Sequence, residues 1–221
     1  MQRSPQTTAQ LLARAHAIAG WQLGEIAKEL GVIPPVDLRQ HKGWVGQLLE
    51  LWLGASAGSR PEPDFPHLGV ELKTLPIDGQ GRPLESTYIS ICPLTKLTHM
   101  HWQDSPVWHK LQHVLWLPIE GDPSIPPAQR HVGMALLWQP NDQQAAQLQR
   151  DWEEIIEQVA LGQVDQISAH QGELLQLRPK AANRRALTEA IGPNGTKIQT
   201  LPRGFYLRSK FTHGLLQQHF N

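Results

Sequence analysis

PDFPHLGVELKTLPI, residues 63–77, is the stretch on which the reading of this chain turns. Its second part, LGVELKTLPI (68–77), reads as a strand: Val70 and Leu72 alternate with Glu71 and Lys73 at the period of two that a half-buried strand requires. Residues i and i+2 of a strand share a face and lie roughly 6–7 Å apart. Glu71 and Lys73 therefore project together while Leu72 points into a core, and Asp64, entering just before the strand, brings a second carboxylate to the same end. Two carboxylates beside a backbone carbonyl make a hard, oxygen-rich site suited to Mg²⁺, which keeps several waters and binds phosphate. The adjacent ammonium can orient a water or neutralise an attacked phosphate. The bare spacing D-x6-E-x-K also arises by chance, and a Glu-x-Lys on a strand is commonly one solvated face. The neighbouring segments must decide between the two.

Upstream, GASAGSRPEPD (54–64) is a small-residue loop, and GWVGQLLELWL (43–53) carries Trp44, Leu48, Leu51 and Trp52 at helical spacing. Glu50 lies within that greasy helix and can supply a further carboxylate, or simply its solvated face. Downstream, TYISICPL (87–94) is expected as the antiparallel neighbour of 68–77 across the turn-rich DGQGRP (78–83). Residues 111–119 (LQHVLWLPI) and 134–138 (MALLW) supply further strands, and Lys110 precedes the first of them. Four strands near the middle, with helices around them, predict a mixed sheet with helices packed on it. Helices are expected at 7–19, 22–30, 141–161 (capped by Asn141) and 183–191, the last stopped by Gly192 and Pro193. GELLQLRP (172–179) is strand-like, and FYLRSKFTHGLLQQHF (205–220) is a turn-interrupted amphipathic segment. LGEIAKELGV (23–32) has the look of half a helix-turn-helix, but Pro34 and Pro35 forbid the recognition helix.

Composition narrows the class. The 221 residues suffice for one large domain or two small lobes, and the single Cys92 excludes an internal disulfide framework and fits a reducing compartment. The N-terminus lacks a signal-peptide pattern and no apolar run approaches a membrane span, so a cytoplasmic protein is expected. Twenty basic and twenty acidic residues cancel, but they are segregated. Arg178, Lys180, Arg184, Arg185, Lys197, Arg203, Arg208 and Lys210 share residues 178–210 with one acid, Glu189, whereas 142–165 holds six acids and only Arg150. Such a basic segment can meet phosphates in a neutral molecule; unevenly charged solvated surface is the alternative. Pairs such as His99 and His101, or His109 and His113, have no cysteine or acid cluster to complete a zinc set. No GxSxG, Walker or GxGxxG motif occurs.

KGWVGQLLELWLGASAGSRPEPDFPHLGVELKT (42–74) strongly resembles the catalytic segment of the MutH family of methyl-directed mismatch-repair endonucleases. The blocks GRPLESTY (81–88), HKLQHVLWLPIEG (109–121), LRPKAANRRALTEAIG (177–192) and LPRGFYLRSKFT (201–212) extend the resemblance over nearly the whole chain. It implies an α/β, restriction-endonuclease-like fold: a mixed central sheet flanked by helices, in two lobes around a DNA-binding cleft. It implies one endonuclease domain over 1–221, with the catalytic segment at 42–120 in an N-terminal lobe and the recognition segment at 170–212 in a C-terminal one. The activity implied is Mg²⁺-dependent nicking of the unmethylated strand at hemimethylated GATC, by a monomer activated by MutL and, through it, MutS. Residue by residue, the resemblance makes Asp64 and Glu71 metal-binding carboxylates, Lys73 the catalytic lysine, and Glu50 and Lys110 accessory active-site residues. It makes Lys42 a loop lysine at the DNA, Arg178 and Lys180 part of the loop meeting the recognition bases, and Tyr206 the aromatic near the methylated adenine. Tyr88 falls where relatives can carry Phe, keeping the aromatic plane. Two rival readings remain: a restriction endonuclease of similar core cutting both strands of unmethylated GATC, and a DNA-binding module without catalysis.

Overall fold

The computed structural model describes residues 3–220, apart from 59, 61, 96, 98, 99 and 182. Its elements are α1 (Thr8–His16), α2 (Leu23–Glu29), α3 (Trp44–Leu53), β1 (Glu71–Ile77), β2 (Thr87–Cys92), α4 (Pro106–Leu111), β3 (Val114–Glu120) and β4 (Leu136–Trp138). These are followed by α5 (Asp142–Ala160), β5 (Leu175–Pro179), β6 (Thr188–Ile191), β7 (Lys197–Thr200), β8 (Arg203–Leu207) and α6 (Ser209–Phe220). The fold class is the expected α/β one, with small sheets flanked by helices. No helix among the described residues is long and apolar enough to cross a membrane.

The chain divides into two compact units, each built from separated segments. The first takes the chain up to Glu85, Lys110–Gln139, and the chain from His213 on. Its sheet has the order β1-β3-β4, with β1 parallel and β4 antiparallel to the central β3. The sequence explains the centre: VLWLPI is apolar without alternation and buried from Val114 to Ile119, the pattern of a strand covered on both faces. Leu72 of β1 and Leu115 and Leu117 of β3 join a core with Leu11 of α1, Leu49 of α3 and Phe65. Thr7 caps α1, accepting the Gln10 N–H.

The expected pairing of residues 87–94 with 68–77 does not form, and the four middle strands do not share one sheet. After β1 the chain does double back: Arg82 O accepts the Asp78 N–H, and Pro76 O accepts the Leu84 N–H. The return stops at an isolated bridge between Ile77 and Pro83. Pro76 and Pro83 have no N–H to extend it, and β2 enters the second unit instead.

That second unit holds Ser86–His109 and Pro140–Thr212. Its sheet is antiparallel, with β8 between β2 and β5, and β6 and β7 form a separate hairpin. Residues 183–191 therefore do not form the expected helix. Ala186, Leu187 and Ala190 suit a helix by propensity, but the Gly-Pro-Asn-Gly turn at 192–195 returns the chain, and Glu189 faces Gln199 across the hairpin. The turn residues were the better signal. The expected helix at 141–161 forms as α5, with Asn141 accepting the Gln144 N–H at its start.

One carboxylate governs the passage from α5 into β5. Asp151 is buried and accepts the backbone N–H groups of Glu173, Leu174 and Leu175 and an amide N–H of Gln147. Gly172 (φ +79°) completes the turn, where an added Cβ would lie 1.9 Å from Leu175 O. Truncation of Asp151 orphans three backbone donors. Asp151→Ala is expected to cost about 3 kcal/mol, roughly 6–12 °C in Tm for a chain of this size, with Asp151→Asn losing less. Thermal melts followed by circular dichroism check this; an unshifted Asp151→Ala midpoint contradicts the role.

Candidate active site

The six residues between Asp64 and Glu71 close a small loop whose ends pair with each other. Phe65 and Val70 exchange backbone hydrogen bonds around the 3-10 turn Pro66–Leu68. Asp64 is fixed on both sides: its backbone carbonyl accepts the N–H groups of Ser56 and Ala57, and its Oδ2 accepts the Leu72 N–H at 2.8 Å. The loop thus folds the aspartate back onto the first residues of β1, as the spacing predicted.

Glu71 opens β1, its N–H donated to His113 O, and it is only 1% exposed. Two ammonium groups converge on one of its oxygens: Lys73 Nζ lies 2.6 Å and Lys110 Nζ 2.7 Å from Oε1. Lys73 comes from the same strand two residues on, and Lys110 from the last turn of α4. The other oxygen, Oε2, is buried and has no hydrogen-bond partner among the described residues. A buried carboxylate oxygen left open is costly unless some group completes it.

Charge around the site is unbalanced in the same sense. Burial, and then the negative charge of Glu71, hold the Asp64 carboxyl above the ordinary carboxylate range. Glu50, half-buried on α3, is raised by burial and then by the charges of Asp64 and Glu71. Lys73 and Lys110 oppose these shifts without cancelling them. Three acids, two of them raised by burial and then by neighbouring negative charge, with one Glu71 oxygen held by two lysines and the other left open, suit a small hard cation. Among the described residues no three His, Cys, Asp or Glu side chains already form a metal cage. Mg²⁺ does not need one, because it is held by one or two carboxylates with water and phosphate completing its shell. The donor set therefore fits the ion. His99 lies outside the described residues.

Five sequence candidates, Glu50, Asp64, Glu71, Lys73 and Lys110, are thus gathered in the first unit. Lys42 is exposed before α3 and lines a groove with Thr74, Pro76, Glu120 and Arg130.

Four others meet in the second unit. Tyr88 of β2 and Tyr206 of β8 are cross-strand partners, with rings 5.4 Å apart edge to face. Lys180 Nζ sits 4.2 Å above the Tyr88 ring, and the Arg178 guanidinium 5.7 Å from the Tyr206 ring. Both distances suit cation–π attraction. Burial, and then Tyr206, raise the pKa of the Tyr88 phenol.

Two contributors escaped sequence reading. Ser86 Oγ accepts Arg178 Nη1 at 2.6 Å. Gly204 of β8 is the register partner of Arg178 on β5, and an added Cβ there would lie 3.0 Å from the Tyr88 ring and 3.4 Å from Lys180 Cβ. No sequence motif marks either one, since both act across strands distant in the chain. The basic segment is also not one phosphate-binding face. Arg208 donates to the carbonyls of Ala169, Gln171 and Gly172, and Arg203 pairs with Asp165. These two arginines hold the fold, while Arg178, Lys180, Arg184, Arg185 and Lys210 are exposed.

A family model described as the DNA mismatch repair enzyme MutH matches residues 53–151. Proteins named DNA mismatch repair protein MutH, from Escherichia coli (strain K12) and Escherichia coli O139:H28 (strain E24377A / ETEC), are each 56% identical to this chain over 216 residues. Each alignment covers 98% of the chain and 94% of the relative.

Proposed function

Since the chain belongs to the MutH family of DNA mismatch repair enzymes, we propose that it is a Mg²⁺-dependent endonuclease nicking the unmethylated strand at hemimethylated GATC sites. The observation that carries the reading is the state of Glu71: buried, held by two lysines through one oxygen, and open at the other beside a second, reluctant carboxylate. That arrangement is costly for a fold and useful for a phosphodiesterase.

Asp64 and Glu71 would hold the ion. Bound Mg²⁺ supplies Lewis-acid stabilisation of the phosphodiester's added negative charge and lowers the pKa of its water. The protein's own groups do the rest. Leu72 N–H and the loop 54–57 fix Asp64, so its carboxylate meets the substrate without reorganising. An ammonium carries three N–H donors, and Glu71 engages one on each lysine. The remaining donors of Lys73 orient the attacking water or hold a phosphate oxygen, and Lys110 adds positive charge beside them. Glu50, whose pKa is raised by burial and then by the charges of Asp64 and Glu71, can accept a proton during turnover or hold a further ion.

In the same proposal Arg178 and Lys180 contact the recognition bases, with Arg178 the natural bidentate partner of guanine. Tyr206 rejects an N6-methyl group on adenine by steric packing, Tyr88 supports the bases, and Lys42 contacts the backbone. Catalysis is assigned to 42–120 and recognition to 170–212 of a single endonuclease domain that acts as a monomer, bound to double-stranded DNA and activated by MutL and MutS.

The test is a nicking assay: purified full chain, hemimethylated GATC plasmid, Mg²⁺, and MutL with ATP. A nick confined to the unmethylated strand is expected. Intact plasmid, or double-strand breaks at unmethylated sites at matched turnover, overturns the proposal.

A further inference from the structure

Arg178 and Lys180, two residues apart on β5 and its end, both reach across the central strand to the β2 side of the sheet. Arg178 ends on Ser86 Oγ, and Lys180 on the Tyr88 ring. Ser86, just before β2, and Tyr88 on it are likewise two residues apart, and the contacts place both pairs on one side of the sheet. Between them β8 presents Gly204 and Tyr206. Gly204 leaves the space through which Tyr88 and Lys180 approach, and the Tyr206 ring lies beneath the guanidinium. The result is a two-rung ladder of cations laid over the sheet.

Its rungs differ in what they fix. A lysine over an aromatic ring is attracted to the face but free to swivel. Arg178 is held at two points: a short hydrogen bond to Ser86 at one Nη, and the aromatic face of Tyr206. The guanidinium is a planar fork of five donors, so one hydrogen bond at Nη1 sets its rotation while leaving its other edge free for two adjacent acceptors. An exposed arginine otherwise loses considerable rotamer freedom when it docks bidentately. A hydroxyl that fixes the fork beforehand lowers that cost only for ligands whose acceptors match the fixed plane.

We infer that Ser86 is a specificity-positioning residue, which orients the Arg178 guanidinium for one guanine of the recognition site without itself touching DNA. The inference rests on the proposed GATC endonuclease activity and adds a residue to its base-reading apparatus. Ser86 immediately precedes the strand that carries Tyr88 and is only partly exposed; its hydroxyl oxygen accepts from Arg178, so its removal is expected to leave non-specific DNA binding unchanged.

The test compares nicking efficiency (kcat/KM) on a GATC duplex with that on a duplex whose G·C pair is inverted, for the full chain and its variants. Ser86→Ala is expected to lower the GATC preference about 3- to 10-fold, the worth of one hydrogen bond. Salt-dependent binding to unrelated duplex and Tm stay unchanged, and Ser86→Thr, which keeps the hydroxyl, restores the preference. In an Arg178→Ala background, Ser86→Ala has no further effect, because the group it orients is gone. Preference retained by Ser86→Ala, or reduced equally with and without Arg178, overturns the inference alone. A wild-type chain that nicks without preference for GATC overturns the proposed function, and this inference with it.

Discussion

Replacing Lys73 by alanine is expected to lower Mg²⁺-dependent nicking by roughly 10²- to 10³-fold, the usual cost of removing one preorganised donor at a developing charge. Stability should hardly change. Glu71 keeps Lys110 at 2.7 Å on the same oxygen, so the buried carboxylate retains a cationic partner when Lys73 is truncated. DNA affinity should also persist, because the cations of the second unit are untouched. Lys73→Ala thus separates chemistry from folding. If the variant nicks at the wild-type rate, the assignment of the catalytic lysine fails; if it unfolds, the ammonium is structural. Lys110→Ala provides the internal comparison, since it removes the other partner of Oε1 and spares the strand residue.

Asp64→Asn is expected to abolish nicking yet raise the thermal stability of the metal-free protein. The loss of activity follows from losing a carboxylate that would hold the ion, whose charge stabilisation is worth several kcal/mol, about 10³-fold or more in rate. The gain in stability follows from linkage. In the unfolded chain the Asp64 carboxyl ionises near its ordinary 3.8; in the fold its pKa is raised by burial and by Glu71. Between those two values the folded state binds more protons than the unfolded one, so stability falls as pH rises through that window. Above the folded pKa the whole loss is in force; below 3.8 it vanishes. An amide carries no such charge and its oxygen can still accept the Leu72 N–H. The Tm advantage of Asp64→Asn should therefore open as pH rises above the ordinary carboxylate range and be present at neutrality. Mg²⁺, which favours the ionised form, should raise the wild-type midpoint and leave that of the variant nearly unmoved. Melts across pH, with and without MgCl₂, measure both. A variant less stable than wild type at neutral pH contradicts the account.

Much of the candidate active-site cluster could be read directly from residues 63–77, because its geometry is local. A strand places Glu71 and Lys73 on one side whatever it pairs with, and the Phe65–Val70 closure folds Asp64 back within the same segment. Glu50 and Lys110 were harder to read. Their types and positions were suggestive, but only the packing of α3 on β1 and the parallel register of β1 with β3 bring them to the same carboxylates. The misread segment at 183–191 shows the opposite case. Its residues suit a helix, yet a tertiary partner, β7, was available across a competent turn, and strand pairing outweighed propensity. Arg203 and Arg208 were indistinguishable by charge from Arg178 and Lys180, although they serve carbonyls and an aspartate of the fold.

By itself, then, the amino-acid order determined the chemistry present along β1, the Asn141 helix cap and the apolar strand β3. These rest on period, local hydrogen bonding and spacing, which act over a few residues. Tertiary structure alone decided that β1 pairs with β3 rather than β2, that Glu71 keeps one open oxygen, and that Arg178 lies on Ser86 across a glycine gap. The Glu71–Lys110 and Ser86–Arg178 contacts join groups 39 and 92 positions apart in the chain. Their meeting is set by which surfaces bury together and which hydrogen bonds remain to be satisfied, and no local pattern encodes that sum.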